Sequence, residues 1–293
     1  MTATTSVTPR THRGRLLRDA LRSAERRLEA AGVPSPRVDA ELLAAHLLGV
    51  PRTGLWSHLE HPVPVGFDDL VAARADRIPV QHLTGWAYFR SVTLAVGPGV
   101  FCPRPETELV AGHGLRALAE SGVEQPTVVD LCSGSGAIAA AISVEAPQAR
   151  VHAVERDPGA WPWLARNADA LGFTAHLDDL EGCLENLNGT VDLVVANPPY
   201  IPEGSVPRDP EVARFDPDLA LYSGPDGLTH CRLVERAAAR LVRPGGWVVV
   251  EHGDLQGTSV PAIFEATGAW TEVTDNLDLA GRDRYVAARR TVH

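Results

Sequence analysis

The 293-residue sequence contains no lysine: all 27 of its basic residues are arginine, and it has a single methionine. Ala, Gly, Pro and Val are abundant, so this absence reads as GC-rich coding and not as chemistry. Long apolar runs are also missing. No stretch approaches the length of a membrane span, and the start from Met1 to Arg15 has neither an apolar core nor a small-residue cleavage site. Because no acidic residue precedes Asp19, an organelle transit peptide is the one targeting reading left. Cysteine is scarce. Cys102, Cys132, Cys183 and Cys231 form no CxxC and no tight cluster, which fits neither a zinc site nor a disulfide framework and makes a reducing cytoplasm the expected compartment. His58, His61, His82 and His113 have no third ligand at zinc-like spacing, so no metal is expected. Ser133 and Ser135 lack the flanking pattern of a nucleophile elbow, which speaks against hydrolase chemistry.

The charge that is present is uneven. Through Gly85 there are 11 arginines against 9 carboxylates, net +2; the remainder has 16 against 28, net −12. A net charge of −10 overall argues against stable clamping of long nucleic acid through phosphate contacts. Arg13, Arg15, Arg18, Arg22, Arg26 and Arg27 crowd the first predicted helix. They read as a solvated face first and as a patch for an acidic partner second.

Apolar residues at helical spacing predict one helix through Leu16, Leu21 and Leu28, stopping at Gly32. A second runs from Pro36, with Ser35 as cap, to Leu48 before Gly49, and a third apolar face holds Phe67, Leu70, Val71 and Ile78. Residues 1–84 therefore read as a small helical bundle. Residues 85–104 read as a linking β-hairpin, with Trp86 and Tyr88 on one strand and Val92, Leu94 and Val96 on the other. Over residues 105–293 strands and helices alternate. Strands are expected at 128–131, 150–155, 173–177, 191–196 and 247–251, followed by strand-like stretches at 269–275 and 284–288. Helices are expected at 137–144, 158–171 with Asp157 as cap, and 228–241. That alternation predicts an α/β fold with a doubly wound, Rossmann-like parallel sheet and ligands at the carboxyl ends of its strands.

Asp130-Leu131-Cys132-Ser133-Gly134-Ser135-Gly136 joins the first of those strands to its helix. Gly134 and Gly136 permit a tight turn and close approach of a ligand to backbone N–H groups. Nineteen residues after Gly136, Glu155 ends the next strand, where a carboxylate can accept ribose hydroxyls. An adenosine-type ligand is implied. The same glycines satisfy the loose dinucleotide fingerprint, so a nicotinamide dehydrogenase is a rival. Asp130, suited to a ligand amino group, the later tetrapeptide Asn197-Pro198-Pro199-Tyr200, and the two extra strand-like stretches together favour S-adenosylmethionine. Asp178, Asp179 and Leu180 are expected to flank the adenine. Trp161 and Trp163 read as packing residues, and Glu251-His252-Gly253 as structural support at a strand end.

Asn197 to Tyr200 leave a buried strand with a side-chain amide, carbonyls freed by proline, and an aromatic face. Such a corner can grip a planar NH2 group. With the segment Gly97-Pro98-Gly99-Val100-Phe101-Cys102-Pro103-Arg104-Pro105-Glu106-Thr107-Glu108, the glycine loop, Ala220 to Leu228 and Gly281-Arg282-Asp283-Arg284, these residues resemble the protein-(glutamine-N5) methyltransferases called HemK or PrmC over nearly the whole chain. The resemblance implies a class I S-adenosylmethionine-dependent methyltransferase whose helical N-terminal domain docks the protein substrate. It implies donor binding by Asp130, Cys132, Ser133, Gly134, Ser135, Gly136, Glu155, Asp179, Leu180 and Asn197, with S-adenosylhomocysteine as product and no metal. Asn197, Pro198, Pro199 and Tyr200 would hold the glutamine of a Gly-Gly-Gln loop in peptide chain release factors, with Asn197, Pro198 and Tyr200 acting in the transfer. A monomer suffices, with no membrane partner. The alternative on the same tetrapeptide is an amino-methyltransferase acting on an exocyclic base amine of RNA or DNA.

Overall fold

The structure, a computed structural model, describes residues 14–292. Arg13, and most of the Met1–Arg15 start considered above as a targeting segment, lie outside the described residues. The chain divides into two compact units, the first ending at Thr84 and the second beginning at Gly85.

The first unit is helical. α1 (Leu17–Ala30) turns Leu17, Ala20, Ala24 and Leu28 inward, and α2 (Pro36–Leu48) supplies Ala40, Leu43 and Ala44 to the same core. α2 stops at Gly49, whose φ of 64° lets its N–H close on Ala45 and His46 carbonyls. Ser35 sits at the N-cap position, but its side chain makes no capping bond; Pro36, with no N–H to satisfy, starts the helix instead. A 3-10 helix, Arg52–His58, for which the sequence shows no clear signal, precedes α3 (Phe67–Ala75) and the short α4 (Val80–Thr84). Two of the arginines on or beside α1 already pair within the unit, Arg15 with Asp68 at 2.6 Å and Arg18 with Glu60 at 2.7 Å.

The second unit opens with the hairpin β1 (Trp86–Phe89) and β2 (Val92–Ala95). On its first strand Ala87 and Phe89 are buried, while Trp86 and Tyr88 are exposed. Trp86 is held from outside by Arg166, stacked 5.3 Å from its ring. After a 3-10 turn (Pro105–Thr107) come α5 (Glu108–Ser121), β3 (Thr127–Leu131), α6 (Ala137–Glu145), β4 (Arg150–Glu155), α7 (Trp161–Leu171), β5 (Thr174–Leu177) and β6 (Val191–Ala196). The chain closes with α8 (Pro210–Phe215), α9 (Thr229–Leu241), β7 (Val242–Glu251), α10 (Ser259–Ala266), β8 (Trp270–Leu277) and β9 (Asp283–Arg290). Asp157 does not cap α7. It closes a turn by accepting the Gly159 N–H at 2.8 Å, and the helix begins later, at Trp161.

Seven strands form one sheet in the order β5-β4-β3-β6-β7-β9-β8. The first five run parallel, and β9 is antiparallel to both of its neighbours, so the sheet is mixed and not wholly parallel as expected. β6 is buried throughout. Leu193 and Val195 face a core shared with α5, α6, α7 and the hairpin, while Val191, Val194 and Ala196 face α9 and α10. Its one charged residue, Asp192, is held by the Thr127 N–H at 2.7 Å and Arg243 Nε at 2.6 Å. Across the sheet Val154, Leu131, Ala196 and Val250 lie abreast. The next residue on each strand is Glu155, Cys132, Asn197 and Glu251.

Asn167 on α7 is buried and ties three backbone groups together. Its Oδ1 accepts the Ala95 N–H at 2.8 Å, and its Nδ2 donates to the carbonyls of Ala95 and Ser135, both at 2.9 Å. The hairpin and the glycine loop are thereby locked to one helix. Replacing Asn167 with Ala leaves these groups unpaired, each at about 1–3 kcal/mol. Asn167→Ala is therefore expected to lower the urea midpoint of the second unit by an amount worth roughly 3 kcal/mol or more, read by intrinsic tryptophan fluorescence; an unchanged midpoint would show that water satisfies these groups.

Candidate active site

A cavity of about 820 Å³ opens at the carboxyl ends of β3, β4, β5, β6 and β7. Of the residues expected at the donor site, Asp130, Cys132, Ser133, Gly134, Ser135, Glu155, Leu180 and Asn197 line it. Gly136 lies behind the wall, and Asp179 is exposed beside Arg156 at 3.9 Å, while its neighbour Asp178 lines the cavity. Pro199 and Tyr200 line it as well. Eight carboxylates and five arginines surround the space, so it favours a cationic or neutral guest over a polyanion.

The glycine loop is built for contact through its backbone. Gly134 has φ 56°, and a Cβ there would meet nothing within 4 Å. Gly136 has φ 83°, and a Cβ would fall 2.7 Å from Phe173 and 2.8 Å from Leu164, so only glycine lets the loop pack on α7 and β5. Cys132, with φ 57°, holds a left-handed conformation that costs a non-glycine residue about 1 kcal/mol or more. Glu155 braces the loop: Oε2 accepts the Gly134 N–H and Oε1 the Asp157 N–H, both at 2.8 Å. Each oxygen retains a lone pair. Burial raises the Glu155 pKa against the pull of those N–H groups.

Asp130 is 1% exposed. Its Oδ2 accepts the Ala139 N–H at 3.0 Å in the first turn of α6, where the helix dipole favours a carboxylate, and its buried Oδ1 has no partner among the described residues. Burial pushes its pKa up to about 8, opposed by the Ala139 N–H and the Ser133 hydroxyl.

The tetrapeptide after β6 is equally well held. Asn197 Nδ2 donates to Thr107 Oγ1 at 3.0 Å, which sets the amide so that Oδ1 is the free end. The Pro198 carbonyl accepts no hydrogen bond among the described residues. Gln256 Nε2 donates to the Tyr200 carbonyl at 3.1 Å and to that of Gly227 at 3.3 Å. The Tyr200 hydroxyl reaches Glu251 Oε1 at 3.5 Å, and burial raises its pKa. Thr107, Gln256 and Glu251 were not singled out as functional from the sequence. Thr107 lies inside the Pro103-to-Glu108 segment that carries the family resemblance, a signal that could have found it. Gln256 has no motif at all.

Elsewhere, Arg104 pairs with Asp216 at 2.9 Å and lies over the Phe101 ring, closing one wall. Trp163 donates its indole N–H to the Pro98 carbonyl at 3.3 Å, and both Trp161 and Trp163 pack on the core as expected. His113 packs between Trp247 and Tyr285.

The strand order, with β9 inserted antiparallel between β7 and β8, departs from the all-parallel dinucleotide sheet. The fold is that of a class I S-adenosylmethionine-dependent methyltransferase. The description "PrmC N-terminal domain" matches residues 19–85, and "Methyltransferase small domain" matches residues 91–209. A release factor glutamine methyltransferase of Streptomyces coelicolor is 48% identical over 278 residues, covering 94% of this chain and 99% of that protein. One from Mycolicibacterium smegmatis is 48% identical over 279 residues, covering 94% and 98%. A 4-amino-L-phenylalanine/4-methylamino-L-phenylalanine methyltransferase of Streptomyces pristinaespiralis is 42% identical over 263 residues, covering 88% and 90%. At this identity and coverage the chain belongs to the release factor glutamine methyltransferase family.

The Asp130 carboxyl titrates with a measurable sign. Folding raises its pKa from 3.8 to about 8, so the folded state keeps a proton that the unfolded chain releases, and stability falls as pH rises through that window. Asp130→Asn, which cannot ionise, is expected to melt above wild type by a margin that grows from pH 5 to pH 8 in ligand-free scanning calorimetry. A margin independent of pH would contradict the assignment.

Proposed function

We propose that this protein transfers a methyl group from S-adenosylmethionine to the side-chain amide nitrogen of the glutamine in the Gly-Gly-Gln motif of peptide chain release factors. The observation that carries this reading is Asn197, which lines one cavity with the glycine loop and whose Oδ1 is left free by the bond from its Nδ2 to Thr107; the next residue, Pro198, is buried and outside the lining, but its carbonyl is also unpaired among the described residues.

The residues fit the donor. Asp130 Oδ1, buried without a partner, suits its ammonium group; Glu155 has spare lone pairs for ribose hydroxyls; and the open face at Gly134 admits the chain between them. Leu180, 5% exposed, offers an apolar surface to the adenine, with Asp178 beside it. When bound, S-adenosylmethionine supplies an electrophilic methyl carbon on a sulfonium centre.

The protein's own task is alignment. An amide nitrogen is a poor nucleophile because its lone pair is delocalised into the carbonyl. Two acceptors at Asn197 and Pro198 take both N–H groups of a primary carboxamide, turn the lone pair toward the donor side, and stabilise positive charge as it develops on nitrogen. Tyr200 packs against the amide plane, its main chain fixed by Gln256. The acidic lining and the net charge of −10 favour this protein substrate over an exocyclic amine of RNA or DNA.

The remaining assignments belong to the same proposal. Residues 1–84 dock the protein substrate, residues 85–104 link, and residues 105–293 carry the chemistry, in a reducing cytoplasm. Among the described residues, no helix is long and apolar enough to cross a membrane.

Incubation with methyl-labelled donor and, in separate arms, purified release factor, total RNA and 4-aminophenylalanine separates the readings. Label confined to the release factor, at its Gly-Gly-Gln glutamine by mass spectrometry of a tryptic digest, is expected; label in RNA or in the aromatic amine alone would reject the proposal. Asn197→Ala is expected to lower kcat about a hundredfold or more, the scale of one lost transition-state contact. Near-normal turnover by that variant would remove Asn197 from the mechanism.

A further inference from the structure

Gln256 closes a turn just beyond β7 and also reaches out of it. Its main-chain N–H donates to the Gly253 carbonyl at 2.9 Å, and its side-chain Oε1 accepts the Gly253 N–H at 2.9 Å, so the turn is closed from both sides. The other end of the carboxamide serves other loops. Nε2 donates to the carbonyl of Tyr200 at 3.1 Å and to that of Gly227 at 3.3 Å, joining the Asn-Pro-Pro-Tyr corner to the loop before α9. Two carbonyls at one end and an N–H at the other leave the amide a single orientation. Gly227 shows how closely the loops meet: its φ is 72°, and a Cβ on it would fall 2.5 Å from the Tyr200 oxygen. A Cβ on Gly253 would stand 3.5 Å from Tyr200 Cδ2, so the closed turn abuts the ring as well. Gln256, Gly253 and Tyr200 all line the cavity.

The composition of the corner makes such an anchor necessary. Pro198 and Pro199 have no N–H to donate, and neither of their carbonyls accepts a hydrogen bond among the described residues. The corner is therefore held at its ends, at Asn197 by Thr107 Oγ1 and at Tyr200 by Gln256, before Ile201 bonds to Leu221 and Ser223. Proline fixes φ but leaves ψ to rotate, so releasing one end lets the carbonyls between the anchors swing.

Resting on the functional reading above, we propose that Gln256 is a positioning residue for methyl transfer: by pinning the Tyr200 carbonyl it fixes the span of the corner, and with it the placing of Asn197 Oδ1 and the Pro198 carbonyl against the donor. Those two acceptors have to meet both N–H groups of one small carboxamide while its nitrogen faces the methyl carbon. A misplacement of about 1 Å in such an arrangement can cost roughly a hundredfold in rate. A substrate amide still enters a loosened corner, so the loss falls on kcat more than on KM. The donor's place on the glycine loop makes no use of Gln256.

Two substitutions separate this clasp from mere closure of the turn. Gln256→Glu keeps an oxygen for the Gly253 N–H, and so keeps the turn, but has no N–H for Tyr200 and Gly227 and brings a negative oxygen up to both carbonyls. Gln256→Met removes all three bonds at similar length. Release-factor methylation by wild type is measured first; its absence overturns the functional reading, and this proposal with it. Given wild-type turnover, both variants are expected to lower kcat by about tenfold to a hundredfold, with KM for the release factor and S-adenosylhomocysteine affinity by calorimetry near wild type. In an Asn197→Ala background the loss from Gln256→Met should shrink by about threefold or more, because one of the acceptors it places is already gone. Donor affinity also reports folding: should Gln256→Met fail to bind, Gln256→Glu alone decides, and loss of donor binding in Gln256→Glu would make Gln256 a support of the whole domain and overturn the proposal. Wild-type kcat in Gln256→Glu, a loss carried by KM alone, or fully additive losses with Asn197→Ala would each overturn it too.

Discussion

Val154, Leu131, Ala196 and Val250 stand in one row across four parallel strands, and the site depends on that register. Parallel pairing brings every strand's carboxyl end to the same edge. Glu155, Cys132 and Asn197, distant in sequence, therefore emerge together into one cavity, with Glu251 buried beside them. The register is enforced by burial on both faces. A one-residue slip of β6 would carry Leu193 and Val195 out of the α5–α6 core and place Asp192 away from Arg243 and the Thr127 N–H.

On this frame the loops do chemistry that the strands cannot. The glycine loop lines the cavity, while Asn167 holds it from behind and Glu155 from the side. The Asn-Pro-Pro-Tyr corner turns acceptors outward because proline denies the chain the ladder it would otherwise continue. The corner and the strand end before the loop leave polar atoms without partners near a low-dielectric space, a cost in the folded state that a bound ligand would offset. Asp130 is the clearest case, a buried carboxyl with one oxygen left over.

Much of this was legible along the chain. The helices of the first unit, the glycine loop, Glu155 and the Asn197 corner carry local signals, namely periodicity, glycine spacing and paired prolines. Helices α5, α8 and α10 went unrecognised for a physical reason. α5 carries Gly112, Gly114 and His113 within it, and α8 and α10 are short and begin amid proline and glycine, so propensity is weak and packing on the sheet stabilises them. The outward turn of Trp86 and Tyr88 was equally hidden, since hydrophobicity alone does not say which face a neighbour covers.

The residues themselves determined that this chain makes a helical unit followed by an alternating α/β domain, with a glycine loop and an Asn-Pro-Pro-Tyr corner each at the end of a strand. Local rules suffice for that, because glycine, proline and the two hydrophobic periods act over a few bonds. Only tertiary structure decided the antiparallel edge of the sheet, the clamp of Asn167 on hairpin and loop, and the bonds of Asn197 to Thr107 and of Tyr200 to Glu251. These depend on which strand end lies beside which, and pairings across 72, 90 or 51 residues leave no mark in a local pattern.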